Sequence, residues 1–472
     1  MRGTPEPKRS IGQESTTCRS GGISRRQLLR DAAAVSAAAT IVSRHVLGGE
    51  GNTPPSEKPT LAGIGVGGVG HGQMKACDSV GFQVVALCDV DEVYAKKSFD
   101  NWPQARRYRD YRELLDAEKD VDAVYVGTPD HSHAVICLAA LEAGKHLCCV
   151  KPLTRTVKEL RKVVGVAREK GVATQVTASP NTSAVACRTC ELIAAEAIGT
   201  VREVHIWSNR PLWPQGMQRP EGEDPIPKTF DWDLWLGPAR VRPFKAEWPD
   251  GHYAVAQVKS NRNPRRAVYH PWNFRGWWDF GTGALGDMGC HHANTPYRAL
   301  NLTQPTAVEA SATMVFAETA PLASIVNYDF PEHEGRPPVR LVWYDGGLRP
   351  PRPKQLEGAN YPSEGTMYLG DEGVMLGSTV YPLDRGKKFL DVPETLPRRP
   401  GTWGEWIEAV RGGEPAGCNF DWAERITEFV LLGNLAIRVG QPLSWDARAD
   451  RFSNSDQANA MLHDEYREGW TL

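Results

Sequence analysis

Asp287 and His291 stand four residues apart in the stretch Trp277-Trp278-Asp279-Phe280-Gly281-Thr282-Gly283-Ala284-Leu285-Gly286-Asp287-Met288-Gly289-Cys290-His291. If residues 284 to 296 form a helix, that spacing puts both side chains on one face. A carboxylate beside an imidazole can fix the ring's orientation and raise its basicity, which suits the pair to take a hydroxyl proton. Spacing alone weighs this equally against an ion pair on a helix surface. Glycines on both sides leave room for a substrate to approach, and His292 faces elsewhere as a packing or hydrogen-bonding residue.

A second chemistry is written near the start. Leu61 to Ile64 is a short apolar strand that runs into Gly65-Val66-Gly67-Gly68-Val69-Gly70. Gly65 permits a tight turn, Gly67 lets backbone approach a pyrophosphate, and Gly70 lets the following helix pack close to the strand, with Gly68 inside the same run. The next strand, Gln83 to Cys88, ends at Asp89, the place of a carboxylate that binds adenosine ribose hydroxyls. Its charge repels a 2′-phosphate, so NAD is favoured over NADP. The plainer role for Asp89 is a turn or cap.

These residues need a scaffold, and the alternation supplies one. A helix over Tyr111 to Asp116, a strand over Ala123 to Val126, a helix over Ala134 to Ala143 and a strand over His146 to Val150 predict a parallel, doubly wound sheet. Ligands bind beyond the carboxyl ends of such strands. Thr128-Pro129-Asp130-His131-Ser132-His133 and Lys151-Pro152-Leu153 occupy those ends, so Thr128, Pro129, His133, Lys151 and Pro152 join the expected cofactor contacts.

After Gln175 the rhythm changes. Val201 to Trp207, Ala307 to Phe316, Ser324 to Phe330 and Val339 to Tyr344 suit a large, mostly antiparallel sheet with helices on one face, including Glu405 to Ala409 and Arg425 to Val439. The fold class is α/β, a Rossmann nucleotide-binding domain over 59–178 followed by an α/β substrate and oligomerisation domain over 179–472. Ahead of both, Ser24-Arg25-Arg26-Gln27-Leu28-Leu29-Arg30 and the small-residue run Ala32 to Val42 read as a twin-arginine export signal, with residues 1–58 as signal and linker. The run is too short and too weakly apolar to span a membrane. Lys plus Arg at 55 against Asp plus Glu at 57 leaves no basic excess for nucleic acid or anionic lipid. Cys187-Arg188-Thr189-Cys190 has no second pair at zinc spacing, so no metal site is expected.

Together the glycine run, Asp89, Thr128 to His133, Lys151-Pro152, Asp231-Trp232-Asp233-Leu234-Trp235-Leu236-Gly237-Pro238 and Gly286 to His291 resemble the glucose-fructose oxidoreductase, inositol dehydrogenase and rhizopine-catabolism superfamily, especially its exported bacterial members. The resemblance covers roughly residues 60 to 472. It implies that Lys151 is the active-site lysine, that His291 moves the substrate proton, that Asp287 is its acidic partner, and that the substrate is a sugar or polyol. Hydride then passes between a carbinol carbon and nicotinamide while Lys151 polarises the oxygen. Arg210, His270, Asn273 and Arg275 are candidates to bind hydroxyls, and one or two tryptophans, Trp213 and Trp277 among them, to lie against a sugar ring. Export away from the cytoplasmic pool implies tightly bound NAD, and the second sheet implies a homodimer or homotetramer. Val150 stands where the superfamily places glutamate, and Ala178-Ser179-Pro180-Asn181-Thr182 departs from its usual Asn-Gln loop. These departures keep two alternatives open: a redox-neutral NAD-dependent glycosidase or lyase, and a catalytically weak sugar or nucleotide sensor.

Overall fold

Leu61, Ala62 and Ile64 are almost wholly buried, as a strand covered on both faces must be. They belong to β1 (Thr60–Ile64), which pairs in parallel with β2 (Gln83–Cys88) and β4 (Ala123–Val126). With β3 (Arg106–Tyr108), β5 (His146–Cys149) and β6 (Thr174–Val176) they form a six-stranded sheet in the order β3-β2-β1-β4-β5-β6. The order reverses between β1 and β4, and such a switch point opens a crevice beyond the strand ends. The glycine loop leaves β1 and Thr128 follows β4, so both flank that crevice. The structure, a computed structural model, describes residues 58–258 and 266–472. The twin-arginine signal and nearly all of its linker lie outside the described residues.

The turn after β5 carries Lys151 and feeds the helix Val157–Lys170 through a reciprocal cap. Thr156 Oγ1 accepts from the Glu159 amide at 3.3 Å, and Glu159 Oε2 accepts from the Thr156 amide at 2.9 Å. That cap fixes the exit of the chain from the Lys151 turn.

The second sheet has nine strands, in the order β13-β12-β11-β7-β10-β9-β8-β14-β15. They are β7 (Val201–Trp207), β8 (Ala307–Ala312), β9 (Ser324–Phe330), β10 (Val339–Tyr344), β11 (Gly365–Gly370), β12 (Val374–Leu376), β13 (Thr379–Tyr381), β14 (Leu443–Asp446) and β15 (Arg451–Phe452). All pairings are antiparallel except β7 with β10. β8 stops at Ala312, short of the expected Phe316, because Ala312 already faces Ser324, the first residue of its partner. Met314 and Val315 beyond it are exposed.

Two helices cover one face, Gly283–Leu300 and Phe420–Val439. Phe429 of the second lies 4.2 Å from the Tyr328 ring in β9. Side chains alternate along each strand, so Leu341 and Trp343 join the helices while Val342 and Tyr344 join Trp207, Met367 and Leu356 on the opposite face. Both faces are therefore partly covered, where the sequence suggested one. Every described cysteine is free and buried. No helix among the described residues is long and apolar enough to cross a membrane.

Candidate active site

A cavity of about 510 Å³ opens along the strand ends of the first sheet, a volume within the range of small-molecule sites. Its wall includes Gly65, Gly67, Gly70, Asp89, Thr128, Pro129 and His270 on the nucleotide side, and Lys151, Arg210, Arg275, Asp287 and His291 toward the second sheet. Residues far apart in sequence are thus brought to one space.

Lys151 Nζ lies 2.5 Å from both the main-chain carbonyl and Oδ1 of Asp287. Arg275 Nε donates to the same Oδ1 at 3.2 Å. Burial opposes ionisation of Asp287, but these two cations overcome it and hold the carboxyl far below its usual range. Lys151 and Asp287 side chains are only 14% and 11% exposed, so the pair is screened little by water. An ammonium has three donors, and two are engaged here, which leaves one for a ligand oxygen.

His291 sits one turn further along the helix, but Asp287 is not its hydrogen-bond partner. Its Nδ1 meets Ser179 Oγ at 3.1 Å. Burial foremost, with the nearby Lys151 charge, holds its imidazolium down to about 3 against a smaller opposing effect of Asp287. The ring is neutral and free to accept a proton, and its basicity is lowered, contrary to the expectation of an aspartate-strengthened base. Ser179 belongs to the 178–182 loop whose departure the sequence marked.

On the nucleotide side, Asp89 Oδ2 accepts from the amides of Val66 and Gly67 at 2.9 and 3.0 Å, and Oδ1 accepts from the Asp91 amide at 3.0 Å. Asp89 thereby sets the shape of the glycine loop. Burial pushes its carboxyl up, opposed by the Asp91 amide and His270. Gly65 has φ 76°, which glycine adopts without strain. A Cβ on Gly67 or Gly68 would fall 2.2 Å from Tyr94 Cδ1 or 1.9 Å from Tyr94 Oη. Tyr94, which the sequence did not single out, lies across the loop. The loop leads into the helix Val69–Ser79, whose N-terminus has no side-chain cap and no acidic residue in its first turn. Uncapped amides, glycines and the carboxylate of Asp89 fit a dinucleotide bridged by phosphates.

Several expected contacts lie elsewhere. His133 is fully buried, with Nδ1 2.8 Å from the Pro152 carbonyl and Nε2 2.9 Å from the Thr128 carbonyl. It fastens the two loops together behind the cavity, and neither it nor Pro152 nor Gly68 is on the wall. Trp213, Asn273 and Trp277 are buried off the wall: Trp213 donates to Gln215, Asn273 to the Ala267 carbonyl and Trp277 to the Val268 carbonyl. His270 is on the wall but on the nucleotide side, its Nε2 3.0 Å from Asp91 Oδ2 and its Nδ1 accepting from Trp235 Nε1 at 3.3 Å. The tryptophans that do reach the cavity are Trp235, Trp272 and Trp470. Trp272 has φ 73°, a strained value for a bulky residue, under the Arg275 guanidinium 4.3 Å from its ring. Among the described residues no group of His, Cys, Asp or Glu could hold a metal ion.

Residues 60–178 match the oxidoreductase family with an NAD-binding Rossmann fold, and residues 207–321 match that family's C-terminal α/β domain. The chain belongs to the Gfo/Idh/MocA oxidoreductase superfamily. Inositol 2-dehydrogenase of Salmonella typhimurium is 33% identical over 115 residues, which is 24% of this chain and 34% of that protein. 1,5-Anhydro-D-fructose reductase of Ensifer adhaerens is 50% identical over 60 residues, 13% of this chain and 18% of that one. The alignable part of the chain thus spans about a third or less of these curated relatives. The solved structure of the WlbA dehydrogenase from Chromobacterium violaceum is similar in fold, with TM-score 0.56 at 14% identity over 83% of this chain and 96% of that one. Within the Gfo/Idh/MocA frame the cavity lies where the Rossmann sheet's carboxyl edge meets residues of the second part.

Proposed function

We propose that the protein is an NAD-dependent oxidoreductase acting at a carbinol carbon of a sugar, polyol or glycoside. The observation that carries this reading is the convergence of Lys151, Asp287 and His291 on the cavity that also holds the glycine loop and Asp89. The superfamily membership and the sugar and polyol dehydrogenases among the relatives support it.

Gly65, Gly67, Gly70, Asp89, Thr128 and Pro129 would hold the dinucleotide, whose nicotinamide, when bound, supplies hydride transfer chemistry. His291 Nε2 takes the proton of the substrate hydroxyl, while Ser179 Oγ fixes the ring from Nδ1. Lys151 uses its remaining N–H to bind the same oxygen and stabilise charge there as the carbonyl forms. Asp287 holds the lysine in place, and Arg275 holds Asp287. Arg210 and Trp272 bound the space left for a hydroxylated ring.

The reading also includes a nucleotide domain over 59–178, a substrate domain over 179–472, self-association through the second sheet, and export by the twin-arginine route to the periplasm with NAD carried along. Incubating the purified protein with a panel of polyols and glycosides, with nicotinamide absorbance and mass spectrometry read together, tests the activity. A stoichiometric absorbance change supports dehydrogenation, whereas product release without net change selects the redox-neutral cycle. Neither signal on any substrate refutes turnover.

A further inference from the structure

Trp470 lies about four hundred residues beyond the glycine loop, yet it is part of the same cavity wall. The segment before it is anchored at several points. Asp464 pairs with Arg155 at 2.6 Å, and the Tyr466 hydroxyl donates to Glu159 at 2.7 Å. Arg467 donates to the carbonyls of Gly237 and Asp233 at 2.5 and 2.7 Å and to the Asp233 carboxylate at 2.6 Å. These bonds tie the segment both to the Rossmann sheet's helix at Val157 and to the short helix Trp232–Leu236 with the glycine that ends it. They place the indole 6.5 Å from the Tyr111 ring, with the Arg112 guanidinium 5.1 Å from its centroid.

The strand order says which end of the cavity this is. Asp89 follows β2 and Tyr111 follows β3, whereas Lys151 follows β5, on the far side of β1 and β4. Trp470 therefore stands with Asp89, Asp110 and Tyr111, away from the reacting groups. A ribose held by Asp89 would direct its base toward this corner, where indole and phenol surfaces replace water against a flat purine.

We propose that Trp470 walls the adenosine subsite and positions the cofactor's adenine. The inference rests on the dinucleotide reading above and assigns Trp470 no part in hydride or proton movement.

Calorimetric titration of the full-length protein with AMP and, separately, with nicotinamide mononucleotide tests it. Trp470→Ala should weaken AMP roughly 10-fold, the scale of losing an aromatic partner for a base. Nicotinamide mononucleotide should bind as in the parent, and Trp470→Phe should recover most of the AMP affinity. A folded Trp470→Ala protein that binds AMP like the parent overturns the proposal, as does equal weakening of both probes, which indicates general loosening. Should the alanine variant fail to fold, Trp470→Leu keeps apolar bulk without a ring, and parent-like AMP binding there is equally fatal. A parent protein that binds neither AMP nor NAD and releases no nucleotide on denaturation defeats the dinucleotide reading itself, an outcome distinct from the failure of Trp470 alone.

Discussion

Lys151 spans the cavity wall to grip Asp287 twice, at its carboxylate and at its own carbonyl, both at 2.5 Å. The carboxylate thus serves the lysine rather than the histidine one helical turn away. Asp287→Asn removes the charge that balances Lys151 and Arg275 and leaves two cations facing each other. Turnover should fall about 100-fold or more, with NAD affinity little changed, because the defect lies in placing the ammonium against substrate oxygen. Steady-state kinetics beside NAD titration checks this, and a loss confined to NAD binding would contradict it.

His291→Ala should lower turnover by roughly 100-fold to 10,000-fold, the scale of general acid-base catalysis, while melting temperature and NAD affinity hold. Ser179→Ala should cost less, since it removes only the group that orients Nδ1. Comparing kcat with thermal melting for both variants separates a catalytic from a packing role, and normal turnover in His291→Ala removes the residue from the mechanism.

Two histidines held in neutral form set an acid limb. Burial holds both His131 and His291 down to about 3. In the unfolded chain each takes up its proton near the ordinary value of 6.5, so the unfolded state gains protons first and stability falls as pH drops through that window. Asp345, pushed up to about 6 by burial, acts in the opposite sense between 3.8 and 6. Melting temperature should decline from pH 7 to 4.5, and His131→Gln should flatten that decline. A rise in melting temperature over the same range would show that the histidines do not dominate.

Gly67→Ala would press a methyl into the Tyr94 ring at 2.2 Å. Overpacking of this kind costs about 1–3 kcal/mol. The single variant should melt lower and bind NAD less well, and adding Tyr94→Ala should restore most of the melting temperature. A double variant that melts no higher than Gly67→Ala assigns the glycine to some other constraint.

Much of this was legible in the sequence where local pattern and tertiary role coincide. β2, β4, β7, β9 and β10 begin and end where the sequence's apolar or alternating stretches do. β3 escaped notice because Arg106-Arg107-Tyr108 is an edge strand with solvent beside it and needs no apolar run. β11 to β13 are short and broken by glycines, so no period could develop. In the site, spacing found Asp287 and His291 on one helix but not the direction of their bonds, because the lysine and serine that claim them come from loops more than 100 residues earlier. Four of the eight tryptophans between 207 and 280 share one apolar cluster, and no local signal marked Trp235, Trp272 or Trp470 as the ones facing ligand space.

The cysteines buried within the fold carry a consequence for handling and for the proposed export alike. A thiol-specific reagent meets each of these sulfurs only when the surrounding structure opens, so the rate of labelling is a clock for opening. The same shielding acts in an oxidising compartment. A chain delivered there as an unfolded thread would offer every one of these thiols to random pairing, whereas a chain delivered finished brings none of them into contact with the oxidant.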